Sequence, residues 1–268
     1  MEQNRKRNAH AVILPAFDTI VLSDSIKRFL GNGGCSILLG ESREEYVARR
    51  MSDDRKTLEN AEIFLQLTKE AYAIAGDLIV AVDQEIAGIC RLHDLVPSFP
   101  DMSTIVDFDL DRFKHVSSLI ARAAKNLGVN CFLSPILDVI TGQNPWLFGR
   151  TWSTDPDMIG KISSVFIKII QNEGVAACAK HFPGFHNIAL DPAIESEAVV
   201  TESETSFNPG FIPFVDAIAN NVEMIMVGPA IVEAFDKKYP ASISPKIIDL
   251  LKKNKFYVHV INETALLL

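Results

Sequence analysis

Residues 180–193 read KHFPGFHNIALDPA. A short apolar run, VAACA (175–179), leads into a lysine and a histidine side by side. A Phe-Pro-Gly turn follows, then a loop carrying His186 and Asp191. Polar residues gather at the ends of three more apolar runs: Asp83 and Glu85 with Arg91 eight residues past the aspartate, Asp138 with Arg150 in the loop beyond it, and Asn262 with Glu263. Lysine and arginine donate to hydroxyl, amide carbonyl or carboxylate oxygens, while aspartate accepts from vicinal hydroxyls. Such a set suits a polar, hydroxyl-rich ligand. Singly, each residue says little, because an aspartate after a strand is more often a helix cap and a lone arginine more often a surface charge. The convergence of four run ends carries the functional reading.

The elements that must hold these residues follow from periodicity. Strand candidates are 11–16, 35–40, 77–83, 130–138, 174–180, 223–228 and 257–262, and helix candidates are 43–50, 58–75, 110–128, 156–174, 209–221 and 245–254. In the helix from residue 156, Met158, Ile162, Val165, Ile169 and Ile170 are spaced to share one face. Asp155-Pro156 and Ser244-Pro245 have the form of an N-cap followed by a first-turn proline. Strands apolar on both faces, alternating with helices, predict a parallel sheet covered by helices. Seven such units point to an α/β fold of the (β/α)8 TIM-barrel type, incomplete at about seven strands, with residues 1–268 as a single domain lacking its last βα unit. In such barrels the chemistry sits where the strands end. No GxGxxG follows the first strand, which weighs against a dinucleotide cofactor, and GNGG (31–34) precedes a strand and is read as a turn.

Composition narrows the partners. The 268 residues are 48% hydrophobic, enough for a sizeable core, and carry a net charge of −8. An acidic chain is a poor partner for nucleic acid or an anionic membrane. The N-terminus is basic and then briefly apolar, too short for a transmembrane helix and with no small-residue cleavage site before Asp18. No export is expected, and a cytoplasmic protein is. Cys35, Cys90, Cys131 and Cys178 share no CxxC spacing, so free buried thiols are expected in place of disulfides or a metal site.

Five ordered motifs then carry a resemblance. AVDQE (81–85) with Arg91, LSPILDV (133–139), GRTWSTDP (149–156), KHFPG (180–184) and PASISP (240–245) are similar to motifs of family-3 glycoside hydrolases, in particular bacterial β-N-acetylglucosaminidases acting on peptidoglycan fragments. The resemblance runs from about residue 11 to 266 and implies a barrel domain. It implies that Asp83, Arg91, Arg150, Lys180 and His181 hold an N-acetylglucosamine unit, with no cofactor and no metal.

The same comparison exposes departures. Retaining hydrolysis needs a carboxylate nucleophile and an acid/base. The family loop runs KHFPGHGDxxxDSH, so Asp191 stands where its orienting aspartate belongs and Ala193 where its proton-transferring histidine belongs. Phe185 and Asn187 replace the His and Asp of HGD. FYVHVINETA (256–265) falls where FDGVVISDDL would be, which puts Glu263 in the nucleophile position. One extra methylene displaces that carboxylate by about 1.5 Å, and misplacement on this scale costs ~100-fold. Losing the acid/base costs ~100- to 10,000-fold. The expectation is a retained amino-sugar pocket with impaired or lost hydrolysis, acting as a sugar-binding or regulatory protein. The alternative is an active retaining glycosidase with Glu263 as nucleophile and a relocated acid/base, His186 or a glutamate (Glu195 or Glu197) on the same loop. A seven-stranded sheet leaves open edges, so a homodimer or a partner chain covering the edge is a further expectation.

Overall fold

The computed structural model describes residues 9–86, 88–99, 109–192, 198–253 and 259–262. In chain order the strands are β1 (Ala16–Phe17), β2 (Ser36–Leu39), β3 (Ile79–Val82), β4 (Cys131–Phe132), β5 (Ala176–Phe182), β6 (Val199–Val200), β7 (Met224–Val227), β8 (Ile231–Val232) and β9 (His259–Asn262). One sheet runs β1-β2-β3-β4-β5-β7-β9, and all its neighbours are parallel. Each of its strands coincides with one of the seven sequence candidates, although the first lies at the end of its run. β6 and β8 form a small second parallel pair that the apolar runs did not announce. Among the described residues β1 and β9 end the strand order and the sheet does not close on itself.

The helices are α1 (Asp24–Gly31), α2 (Arg43–Ala48), α3 (Asp53–Leu58), α4 (Ala61–Ala75), α5 (Leu110–Asn126), α6 (Pro156–Asn172), α7 (Asn208–Ala219) and α8 (Pro245–Lys253). Side-chain caps set the starts of all of these but α7. Asp155 accepts from the Asp157 N–H ahead of Pro156, and Ser244 Oγ accepts from the Ile247 N–H ahead of α8. The helix expected over 58–75 begins three residues later, at Ala61, and Leu58 ends the separate helix α3. Asn60 Oδ1 accepts from the Glu62 and Ile63 N–H groups, each at 3.0 Å, and starts α4 afresh. Glu59 is therefore extended (φ −94°, ψ 128°) and leaves the helical surface.

The two faces of the sheet differ. Val80, Val82, Phe132 and Ala177 point to the main core shared with the helices, while Ala81, Cys131, Leu133, Cys178, Met224 and Met226 form a separate cluster on the other face. Side chains alternate along a strand, so Asp83 follows Ile79 and Ala81 onto the second face, and Lys180 follows Ala176 and Cys178. Pro135 ends the regular ladder of β4 because it has no N–H to give. The chain nonetheless stays beside β5, with the Cys178 N–H donating to the Ser134 carbonyl and the Lys180 N–H to that of Pro135, both at 3.0 Å. That run delivers Asp138 to the same end of the sheet.

On α6 the buried stripe is turned by one residue from the expected one. Ile159, Ile162, Phe166 and Ile170 are buried, Met158 is exposed, and Val165 and Ile169 are only partly covered. Phe166 sets the rotation as the largest side chain of the stripe, packed at 6.0 Å from Phe99 and 6.4 Å from both Phe113 and Trp152 between ring centroids. Of the cysteines, Cys131 and Cys178 are buried and Cys35 and Cys90 half-buried, and all four are free thiols. No described helix is long and apolar enough to cross a membrane. Replacing Phe166 with alanine should cost about 3–5 kcal/mol, read as a lowered midpoint in urea unfolding with the slope unchanged.

Candidate functional site

At the carboxyl ends of β3 and β5 the charges close on one another. Lys180 Nζ lies 2.6 Å from Asp83 Oδ1 and 3.0 Å from Glu85 Oε1. Arg150 grips Glu85 with two bonds, Nε to Oε2 at 2.9 Å and Nη2 to Oε1 at 2.6 Å. The Ile89 N–H adds a third donor to Glu85 at 3.1 Å. Burial pushes the Glu85 carboxyl up, but the Arg150 guanidinium and the Lys180 ammonium outweigh it and hold the group well below the usual carboxylate range. Burial likewise works against the charge on Lys180, and the Asp83 and Glu85 carboxylates raise it above the ordinary lysine value. These bonds hold the cluster in one geometry.

A second pair stands beside it. His181 Nδ1 is 2.7 Å from Asp138 Oδ2, and the other Asp138 oxygen accepts from the Phe185 N–H at 2.9 Å. Burial would raise the Asp138 carboxyl, but the His181 imidazole and the Phe185 N–H hold it below its ordinary value. The Lys180–His181 and Phe182–Pro183 peptides are cis. Trp146 joins the pair to the cluster, 5.4 Å from the His181 ring and 5.6 Å from the Arg150 guanidinium. Outside them opens a cleft of about 260 Å³, lined among others by Tyr46, Trp146, Arg150, Ala189 and Asp191. Tyr46 Oη lies 3.4 Å from Asp191 Oδ1.

The sequence candidates therefore divide. Asp83, Lys180 and Arg150 meet in one cluster with Glu85, while His181 adjoins it and Asp191 lines the cleft. Arg91 is only 1% exposed, and its guanidinium is forked onto Glu59 with two bonds of 2.8 Å, with Nε donating to the Gly40 carbonyl at 2.6 Å. It braces the end of β2 and shares no side-chain bond with Asp83 or Lys180 among the described residues. His186, the loop residue offered as a relocated acid/base, is 0% exposed. Its Nδ1 bonds the Val139 carbonyl at 2.8 Å, its ring packs on Phe207 at 4.8 Å, and the backbones of Gly184 and Gly210 lie against it. Gly184 has φ 109°, a conformation a side chain would oppose, and a Cβ there would also strike the His186 ring. Ala193, Glu195, Glu197 and Glu263 lie outside the described residues.

One group escaped the sequence reading. Glu41 stands two residues past β2. Burial first, and then the Asp83 and Glu85 carboxylates, push it up to about 8. The rule that found Asp83 would have found it, had the run 35–40 been followed to the residue after Gly40.

A parallel α/β sheet with a charged cluster at its strand ends is the arrangement of a barrel-type domain. Residues 36–258 match the model of the glycosyl hydrolase family 3 N terminal domain, and the chain belongs to that family. A β-hexosaminidase of Nitrosomonas eutropha is 26% identical over 199 residues, covering 71% of this chain and 57% of that protein. A secreted glycosyl hydrolase of Arthroderma benhamiae is 30% identical over 196 residues, covering 68% of this chain and 53% of the relative. The chain thus spans about half the length of these curated relatives. The solved structure of a glycoside hydrolase family 3 β-N-acetylglucosaminidase from Paenibacillus sp. str. FPU-7 superposes with a TM-score of 0.83 at 21% identity, over 96% of this chain and 48% of that one, which establishes the shared fold.

The Arg91–Glu59 fork has a measurable signature. Burial raises the Glu59 carboxyl, but His93, Arg91 and Arg55 outweigh it and hold the group at about 2, against an ordinary 4.5. A lowered carboxyl stabilises the fold fully above the unfolded value and loses that contribution as pH falls through the folded one. Urea midpoints should therefore drop steeply from about pH 4.5 towards about pH 2. Glu59→Gln should be less stable at neutral pH and show a shallower acid slope.

Proposed function

We propose that this chain binds an amino sugar, such as an N-acetylglucosamine-containing peptidoglycan fragment, and that it hydrolyses glycosidic bonds poorly or not at all. The Asp83–Lys180–Glu85–Arg150 cluster at the strand ends is the observation that carries the reading. Within it Asp83 accepts from a ring hydroxyl, while Lys180 and Arg150 supply N–H donors to hydroxyl or acetamide oxygens. His181 is held beside the cluster by its bond to Asp138. Arg91 acts behind them, through its hold on Gly40. The printed functions of the relatives, β-hexosaminidase and β-N-acetylglucosaminidase, support the ligand class.

The chemistry of cleavage is what the chain is short of. Alanine at position 193 cannot pass a proton to the leaving oxygen. The burial of His186, with Nδ1 committed to the Val139 carbonyl, counts against that residue as a substitute. Asp191 remains beside Arg150 and Trp146 in the cleft, in the place of the orienting aspartate, and favours a second reading: a working retaining glycosidase with Glu263 as nucleophile and an acid/base from elsewhere on the loop. In either case residues 1–268 act as one barrel-type unit. Free thiols suit a cytoplasmic setting, and a partner chain or second copy would cover the β1 and β9 edges.

Calorimetric titration with N-acetylglucosamine and an N-acetylglucosaminyl–anhydromuramyl disaccharide tests the pocket, and a chromogenic N-acetylglucosaminide tests turnover. Binding without turnover is expected. Asp83→Ala should weaken binding roughly 10- to 100-fold, the worth of a hydrogen bond to a charged group, and unchanged affinity would remove the pocket assignment. Turnover that collapses in Glu263→Gln would establish the second reading instead.

A further inference from the structure

The Glu41 carboxyl differs from its charged neighbours in having an oxygen with nothing to bond. Its Oε2 is buried and has no hydrogen-bond partner among the described residues. The charged groups that face it are Asp83 and Glu85 from the end of β3, Lys180 from β5 and Arg91 from the segment after β3. Each of these is engaged elsewhere: Lys180 with the two carboxylates, Glu85 also with Arg150, and Arg91 with Glu59. The backbone beside Glu41 is also held, since Arg91 Nε donates to the Gly40 carbonyl at 2.6 Å. A buried polar atom without a partner is rare, and a water, an ion or a ligand can supply the missing one.

Charge selects the kind of partner. Asp83 and Glu85 are offset by Lys180 and Arg150, and Arg91 by Glu59. An ionised Glu41 would leave one negative charge in excess. A neutral ligand that covers this carboxyl removes water from it and adds no cation, so it favours the protonated form. The acid O–H can then donate to a ligand oxygen.

We propose that Glu41 is a further ligand-binding residue of this site, its protonated carboxyl donating to a hydroxyl oxygen of the neutral sugar held by Asp83 and Lys180. The inference rests on the amino-sugar reading above and adds a proton to the binding equilibrium. Because the free carboxyl is pushed up to about 8, the competent form prevails at neutral pH. Above that value the group must recover a proton as ligand arrives, and affinity falls by up to about tenfold per pH unit.

The test is calorimetric titration of the whole chain with N-acetylglucosamine from about pH 6.5 to about pH 9.5, on the wild type and two variants. Wild-type affinity should be level to about pH 7.5 and roughly tenfold weaker near pH 9. Glu41→Gln, isosteric and without the titrating group, should flatten that profile. Glu41→Ala should bind roughly threefold to tenfold more weakly at neutral pH, the worth of one neutral hydrogen bond. A wild-type slope that persists in Glu41→Gln, or wild-type affinity in Glu41→Ala, would overturn the role of Glu41 and leave the sugar pocket standing. No wild-type binding at any pH would remove the pocket and this residue's role together.

Discussion

The Lys180 ammonium sits between two carboxylates that come from one strand end, and it comes itself from another. Asp83 and Glu85 follow β3, Lys180 lies on β5, and β4 runs between them. The cation therefore ties the sheet together across a strand, at the end where ligands bind in folds of this kind. Buried charges are tolerated only when paired and hydrogen-bonded, and breaking one such pair typically costs about 3–5 kcal/mol. Arg150 completes the balance on Glu85 and brings the loop before α6 with it. The cleft, the indole of Trp146 and the His181–Asp138 pair are all placed by reference to that guanidinium and ammonium.

The sheet prepares this arrangement by what it places beneath it. The face that carries Asp83 and Lys180 has Ala81, Cys131, Cys178, Met224 and Met226 buried in contact with one another. On β5 Lys180 follows Cys178 on that face, and Asp83 follows the last residue of β3. Behind the cluster a second ionic chain, from Glu45 through Arg55 and Glu59 to Arg91, joins α2 and α3 to the end of β2. The interruption between α3 and α4 turns Glu59 inward to serve that chain. The helix break and the strand-end geometry are one structural device.

The seven sheet strands were legible because each is apolar on both faces and short, and the helix starts at Pro156 and Pro245 because caps and prolines act locally. What escaped depends on contacts far apart in sequence. Asn60 could have continued a helix, and only the demand of Arg91, 32 residues beyond Glu59, shows why the chain breaks there. The face of α6 was misjudged by one residue because spacing alone gave Met158 the weight that packing gives to Phe166. The burial of His186 could not be read from its loop, because it depends on the space that Gly184 and the distant Gly210 leave for the ring. The strand-end residues were found as individuals; their pairing, with Lys180 on two carboxylates and Arg91 on Glu59, is a property of the fold.

Phe185 stands where the resemblance has histidine, fully buried and stacked on His181 at 5.8 Å and 22°, with Trp146 5.8 Å away. Its edge lies over Gly228, where a Cβ would collide with it. A histidine returned to this position would bring ring nitrogens into an aromatic enclosure whose walls supply little to bond them. The enclosure thus fits an apolar ring, and a polar one in its place would be buried without partners.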